Sequence, residues 1–183
     1  MNNKMIFAGY GGQGMLLCGQ LLAYAAMIED SYVTWLPSYG PEMRGGAAYC
    51  SVVVSDKAIG SPIIQTADVI VAMNQPSFDK FQSAVKPGGI IIYNTSMINP
   101  DKNRDDITYM GVAITDLANE LGNLKVANMI ALGCVNAKLN CVKNESIIEA
   151  LKHKLGEKKA NLIAVNEKAI KLGADAAMAL INA

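Results

Sequence analysis

Four glycines in six residues, Gly9-Tyr10-Gly11-Gly12-Gln13-Gly14, separate a short apolar run, Met5-Ile6-Phe7-Ala8, from a long apolar stretch that begins near Met15. A strand that turns through such a segment into a helix leaves backbone N–H groups bare at the helix start. Those donors and the partial positive charge of the helix end suit an anion, usually a phosphate. A second segment with chemical potential is Pro37-Ser38-Tyr39-Gly40-Pro41-Glu42-Met43-Arg44-Gly45-Gly46. It sets the Glu42 carboxylate two residues before Arg44, one of two arginines in the chain, and flanks it with glycines that let the backbone approach a ligand closely. A guanidinium matches phosphate or carboxylate with paired hydrogen bonds. The plain alternative is a solvated turn with an incidental ion pair.

Little else in the chain is equipped for chemistry. The single histidine, His153, lies in Leu151-Lys152-His153-Lys154-Leu155, a charged helix surface. The four cysteines, Cys18, Cys50, Cys134 and Cys141, include no C-x-x-C spacing, which argues against metal or iron–sulfur ligation by this chain and for buried free thiols. Net charge is zero and basic residues are scattered, against nucleic-acid or anionic-membrane binding. No apolar run reaches the roughly 20 residues of a spanning helix, and the start Met-Asn-Asn-Lys does not read as a signal peptide. The chain reads as cytoplasmic. No G-K-[ST] follows the glycines, so a P-loop is excluded.

The elements that must position these segments alternate. Strands are expected at 5–8, 32–36 (stopped by Pro37), 47–54, 67–73, 90–94 and 107–113. Helices are expected at 13–29, 77–85, 115–121 (capped by Thr115 or Asp116), 128–139, 145–155 and 159–181. Lys86-Pro87-Gly88-Gly89 is expected to break the chain before the fifth strand. At 183 residues, 51% hydrophobic, the whole of 1–183 reads as one α/β domain. It is three-layered, with a mostly parallel sheet, helices on both faces and a helical C-terminal segment. Ligands of such sheets sit outside the carboxyl ends of the strands, where both loops are expected to converge.

Gly9, Gly11 and Gly14 match the dinucleotide pattern G-x-G-x-x-G, but its ribose-binding acid is missing. Glu29 and Asp30 precede the second strand, whereas the acid belongs at its far end, which reads Trp35-Leu36-Pro37-Ser38. Asn128 reads as a helix cap, as a donor at a second helix N-terminus facing the ligand, or both. Tyr10 and Tyr39 suit stacking on an adenine or packing in a core or interface.

The glycine turn and Tyr39-Gly40-Pro41-Glu42-Met43-Arg44-Gly45-Gly46 occur in order with Ala67-Asp68-Val69-Ile70-Val71-Ala72, Lys86-Pro87-Gly88-Gly89 and Ala127-Asn128-Met129-Ile130-Ala131-Leu132-Gly133. In this combination the chain resembles, over nearly its whole length, the gamma subunit or gamma domain of the 2-oxoacid:ferredoxin oxidoreductases. The resemblance implies a complex that converts a 2-oxoacid (pyruvate, 2-oxoglutarate or a branched-chain 2-oxoacid, with 2-oxoglutarate or pyruvate first among them), coenzyme A and oxidised ferredoxin to acyl-CoA, carbon dioxide and reduced ferredoxin. An indolepyruvate-specific branch has a similar subunit. The chain lacks the Gly-Asp-Gly thiamine signature and closely spaced cysteines. Thiamine diphosphate, Mg and iron–sulfur clusters are therefore expected in partner alpha and beta subunits, and in a delta subunit where one is present. The resemblance leaves this chain without catalytic residues. It implies a shared coenzyme A site carried over onto Gly9, Gly11, Gly12, Gln13, Gly14, Tyr39, Glu42, Arg44, Gly45 and Asn128. The alternatives are a purely structural assembly subunit and a stand-alone dinucleotide-binding oxidoreductase.

Overall fold

The computed structural model describes residues 1–38, 47–156 and 160–182. Among them run six strands: β1 (Asn2–Tyr10), β2 (Tyr32–Ser38), β3 (Ala47–Ser55), β4 (Ala67–Ala72), β5 (Val85–Asn94) and β6 (Thr108–Val112). Six α-helices accompany them: α1 (Met15–Ile28), α2 (Gln75–Phe81), α3 (Ile114–Glu120), α4 (Ala127–Leu139), α5 (Asn144–Leu155) and α6 (Ala160–Ile181). The strands form one sheet in the order β2-β3-β1-β4-β5-β6. The β1–β4, β4–β5 and β5–β6 pairs are parallel, whereas β3 is antiparallel to both β1 and β2. One reversed strand thus interrupts an otherwise parallel sheet.

Central strands buried on both faces read as continuous apolar runs. Met5 and Phe7 of β1, Val69 and Val71 of β4, and Ile90 and Ile92 of β5 join the larger core, under α1, α4 and their neighbours. Ile6 and Ala8, Ile70 and Ala72, and Ile91 and Tyr93 point the other way, into a smaller core closed by Phe78 and Phe81 at α2. The fold is three-layered as expected, with most helices on one face. Helix α1 is apolar nearly all round because it is wedged between the sheet and other helices.

Four details differ from the sequence reading. Pro37 does not stop β2 but pairs across from Cys50, as an edge strand tolerates, since one side has no ladder to serve. Lys86–Gly89 lies within β5 as a register irregularity: Ala67 pairs with Val85 and Val69 with Ile90, so the extra residues bulge out, with Gly88 at φ 76°. Helix α3 begins at Ile114 with no cap from its own cap residue. Its donors are met from the end of β5 and the turn after it: Asn94 Oδ1 accepts from Thr115 N at 3.2 Å, and Ser96 Oγ from Asp116 N at 3.2 Å. Asn128 is not a cap either. Helix α4 starts at Ala127 after Val126, and Asn128 is buried in its first turn.

Candidate functional site

The strand order reverses between β1 and β4. The chain leaves β1 through α1 on the larger-core face and leaves β4 through α2 on the opposite face. The crevice above the carboxyl ends of two such strands is where open α/β sheets bind ligands. The glycine turn lies there. Gly12 and Gly14 have φ of 95° and 74°, backbone that L side chains avoid. A Cβ on Gly14 would also lie 2.6 Å from Asn128 Nδ2, so α4 packs where only glycine fits.

Gly14 caps α1 without a side-chain bond, and the first turn of α1 carries no acid. The amides of Gly11, Gly12, Gly14, Met15, Leu16 and Leu17 find no acceptor among the described residues. These are the orphan donors of a helix start, left without the partner that a Ser or Asp would supply. The turn itself is held by Gln13. Its backbone N–H donates to Tyr10 O at 3.1 Å. Its side-chain Oε1 accepts from Tyr10 N at 2.6 Å and from Asn74 Nδ2 at 3.1 Å. Its Nε2 reaches Met73 O at 3.4 Å. Gln13 therefore braces the crevice between β1 and β4. Gly9, inside β1, allows this brace: a Cβ there would stand 2.7 Å from Gln13 Oε1.

A cleft of about 460 Å³ opens beside the turn, lined by Gly12, Gln13, Gly14, Leu17, Met73, Met97, Thr115, Leu124, Lys125, Ala127 and Asn128. The starts of α1, α3 and α4 all contribute to it. Tyr10 and Gly11 line a smaller, adjoining cleft with Met15, Leu16 and Ala48, which shares Gly12, Gly14 and Leu17 with the first. Thr115, Lys125, Met97 and Leu124 are not among the site residues expected from the sequence. The rule that ligands meet strand carboxyl ends could have found Thr115, which follows β6. Lys125 and Leu124 carry no such signal, because only the packing of α4 brings them to this edge. Tyr39, Glu42, Arg44 and Gly45 lie outside the described residues. The residues that flank that loop, Ser38 at the end of β2 and Ala47 at the start of β3, sit at the same sheet edge, and Ala47 pairs with Tyr10.

The remaining chemistry-bearing groups serve the fold. Arg104 clips Gln82 O at 3.1 Å, Val85 O at 2.6 Å and the Asp106 carboxylate at 2.5 Å. All four cysteines are buried free thiols. Burial pushes Cys50 and Cys134 up to about 12 and Cys141 to about 11, and raises Cys18 well above its ordinary value. His153 is exposed, edge-on to Tyr24. Among the described residues no group of His, Cys, Asp or Glu is arranged to hold a metal ion, and no helix is long and apolar enough to cross a membrane. Glu29, the nearest match to a ribose-binding acid, instead accepts from Lys143 N at 2.6 Å. The reversed β3 also separates the end of β2 from the glycine turn, so an acid there would not adjoin the turn.

Comparison with known proteins gives these features a lineage. Residues 4–176 match the family model described as pyruvate ferredoxin/flavodoxin oxidoreductase. The chain is 40% identical over 173 residues to ketoisovalerate oxidoreductase subunit VorA of Methanothermobacter marburgensis, covering 94% of this chain but 36% of that one. It therefore spans about a third of that relative's length. It is 33% identical to 2-oxoglutarate synthase subunit KorC of Methanocaldococcus jannaschii, covering 91% of this chain and 92% of KorC. Among solved structures, the gamma subunit of a keto/oxoacid ferredoxin oxidoreductase from Geobacter sulfurreducens superposes with a TM-score of 0.82 at 30% identity, over 97% of this chain and 99% of that one. The 2-oxoglutarate:ferredoxin oxidoreductase of Magnetococcus marinus, solved with 2-oxoglutarate, coenzyme A and succinyl-CoA bound, superposes with a TM-score of 0.90 at 25% identity. That match covers 97% of this chain and 31% of that one. The glycine turn, the interrupted parallel sheet and these matches lead to one conclusion: the chain belongs to the pyruvate ferredoxin/flavodoxin oxidoreductase family, as a gamma-type domain of the 2-oxoacid:ferredoxin oxidoreductases.

Proposed function

We propose that this chain is a non-catalytic gamma subunit of a thiamine-diphosphate-dependent 2-oxoacid:ferredoxin oxidoreductase, and that it supplies one wall of a coenzyme A site shared with other subunits. The observation that carries the proposal is the uncapped start of α1 at the sheet's switch point, with six amides that have no acceptor among the described residues. Phosphate oxygens would satisfy those amides, and the absence of acid in the first turn leaves the positive helix end uncompensated. The residues fit the group. Gly11, Gly12 and Gly14 would hold phosphate through the backbone, with Gly9 and Gln13 shaping the turn. Lys125 and Thr115 line the cleft beside it. Tyr39, Glu42, Arg44 and Gly45 belong to the loop between Ser38 and Ala47, whose Ala47 end pairs with Tyr10 beside the turn. When bound, coenzyme A supplies the thiol that accepts the acyl group. This chain's own part is to bind and orient.

Thiamine diphosphate, Mg and iron–sulfur clusters are assigned to alpha, beta and, where present, delta subunits, and reduced ferredoxin leaves through them. Choice of 2-oxoacid is assigned to those chains as well; the relatives' names point to ketoisovalerate and 2-oxoglutarate. The complex is proposed to be cytoplasmic. A second reading, an assembly role, is favoured by the apolar rim of the same edge: Leu124 is 57% exposed, Met97 47% and Tyr10 37%. Both readings are tested by reconstitution. The isolated chain is expected to be inactive, and the assembled complex with Arg44→Ala to require more coenzyme A for half-maximal rate. Full turnover by the isolated chain would overturn the proposal. Unchanged coenzyme A affinity with weakened assembly would leave only the assembly role.

A further inference from the structure

One polar group in the cleft has a demand that phosphate cannot meet. Asn128 is 5% exposed, held in the first turn of α4. Its Nδ2 faces Gly14 O at 3.4 Å, which fixes the amide's orientation, because the reverse would set two oxygens against each other. Its Oδ1 then accepts from no donor among the described residues. That oxygen is not sealed in the core, unlike Thr34 Oγ1, Trp35 Nε1 and Ser77 Oγ, which are buried without partners. The residue lines the cleft, whose other side-chain walls are mainly Leu17, Met73, Met97 and Leu124, with Gln13, Thr115 and Lys125 as the remaining polar members. An amide oxygen of a nearly buried residue that opens only onto such a cleft gains most from a donor on whatever fills it.

We propose that Asn128 is a specificity-determining residue of the cleft, whose Oδ1 accepts a hydrogen bond from an N–H or O–H of the ligand's uncharged portion, next to the anion held by the glycine turn. The proposal rests on the coenzyme reading of the cleft and deepens it. The cleft adjoins one anion-binding turn and is otherwise largely apolar, so it suits a chain bearing isolated amide or hydroxyl donors rather than a nucleobase with several polar edges. In coenzyme A that portion is the pantetheine arm, with two amide N–H groups and one hydroxyl. Asn128 positions the arm relative to the phosphates and touches no reacting atom.

The test is a double cycle on the assembled complex, read by calorimetric binding. Coenzyme A is compared with three analogues, each lacking one donor of the arm: either amide N–H replaced by oxygen, or the hydroxyl by hydrogen. Each is titrated into the parent complex and into the Asn128→Ala complex. One replacement is expected to weaken binding by about tenfold in the parent, the scale of one hydrogen bond, and to cost nothing further in Asn128→Ala. If all three losses are the same in the variant as in the parent, Asn128 makes no such contact and the proposal is overturned. Failure of the underlying reading looks different: Gly12→Asp, which sets a negative charge in the turn, would leave the affinity for coenzyme A itself unchanged.

Discussion

The strictest structural demand at the candidate site falls on Gly14, and replacing it with alanine has a calculable cost. Its φ of 74° lies in the left-handed region, which costs a non-glycine residue about 1–2 kcal/mol. The new Cβ would stand 2.6 Å from Asn128 Nδ2 and 2.9 Å from its Cγ. Asn128 Cβ also lies 3.2 Å away, so swinging the amide toward the cleft does not clear the contact, and overpacking of about 1–3 kcal/mol follows. The sum is about 2–5 kcal/mol. For a chain of this size each kcal/mol lowers Tm by about 2–4 °C, so Gly14→Ala should melt about 10 °C below the parent. Gly12 is the internal control. Its φ of 95° is equally unfavourable, but a Cβ there would meet nothing within 4 Å. Gly12→Ala should therefore lose only about 1–2 kcal/mol, or roughly 5 °C. Thermal melts followed by circular dichroism measure both. Adding Asn128→Ala to Gly14→Ala removes the obstructing side chain, so the double variant should be more stable than the two single losses predict. Equal melting losses for Gly12→Ala and Gly14→Ala, together with an additive double variant, would refute the packing of α4 against the turn.

Other consequences follow from the same geometry. Helices α4 and α6 cross with reciprocal glycines: a Cβ on Gly173 would lie 2.0 Å from Ile130 O, and one on Gly133 2.0 Å from Ile170 O. Gly173→Ala, which would gain about 1 kcal/mol on an open helix, should instead lose about 3 kcal/mol or more in chemical denaturation; a neutral result would deny the close crossing. The four thiols should resist a disulfide reagent at pH 8 and all react in denaturant, because burial holds Cys50 and Cys134 near 12 and Cys141 near 11. The Arg104 hydrogen bond lowers the Asp106 carboxyl below its usual 3.8. A depressed carboxyl stabilises above its unfolded pKa and loses that contribution as pH falls through the folded value. The stability lost in Arg104→Ala should therefore be constant from pH 5 to 8 and shrink below about pH 4, as read from urea titrations at each pH.

The strands are legible because both faces of β1, β4 and β5 are buried, which leaves unbroken apolar runs. Glycine spacing likewise places the turn between β1 and α1. Strand direction is not legible. The apolar run of β3 carries the same signal whether it lies parallel or reversed, and only the short span between β2 and β3 hints at reversal. Helix starts are misplaced where a cap comes from afar: Asn94 and Ser96 serve α3 from the end of β5 and the turn after it, and no local pattern records that. At the site, Gln13 reads as a ligand contact because it sits among glycines; the structure adds that its side chain, on the wall of the cleft, bonds Tyr10, Met73 and Asn74, which no local pattern records. Asn128 reads as a cap, because asparagine caps well, or as a donor facing the ligand, and only the cap reading is overturned. Its burial follows from the packing of α4 against Gly14, a contact between residues 114 positions apart.

The proposed role of the glycine turn is to hold the phosphates of coenzyme A in the assembled enzyme. The most direct measurement is a calorimetric titration of coenzyme A into complexes carrying Gly12→Ala and Gly12→Asp. Both variants place a Cβ on left-handed backbone, which Asp tolerates at least as well as Ala, and only the second brings a negative charge to the unpaired amides. Like charges about 4 Å apart repel by about 1–4 kcal/mol in a partly solvated site. Gly12→Asp is expected to bind coenzyme A at least about fivefold more weakly than Gly12→Ala. Equal affinities in the two complexes would contradict that role.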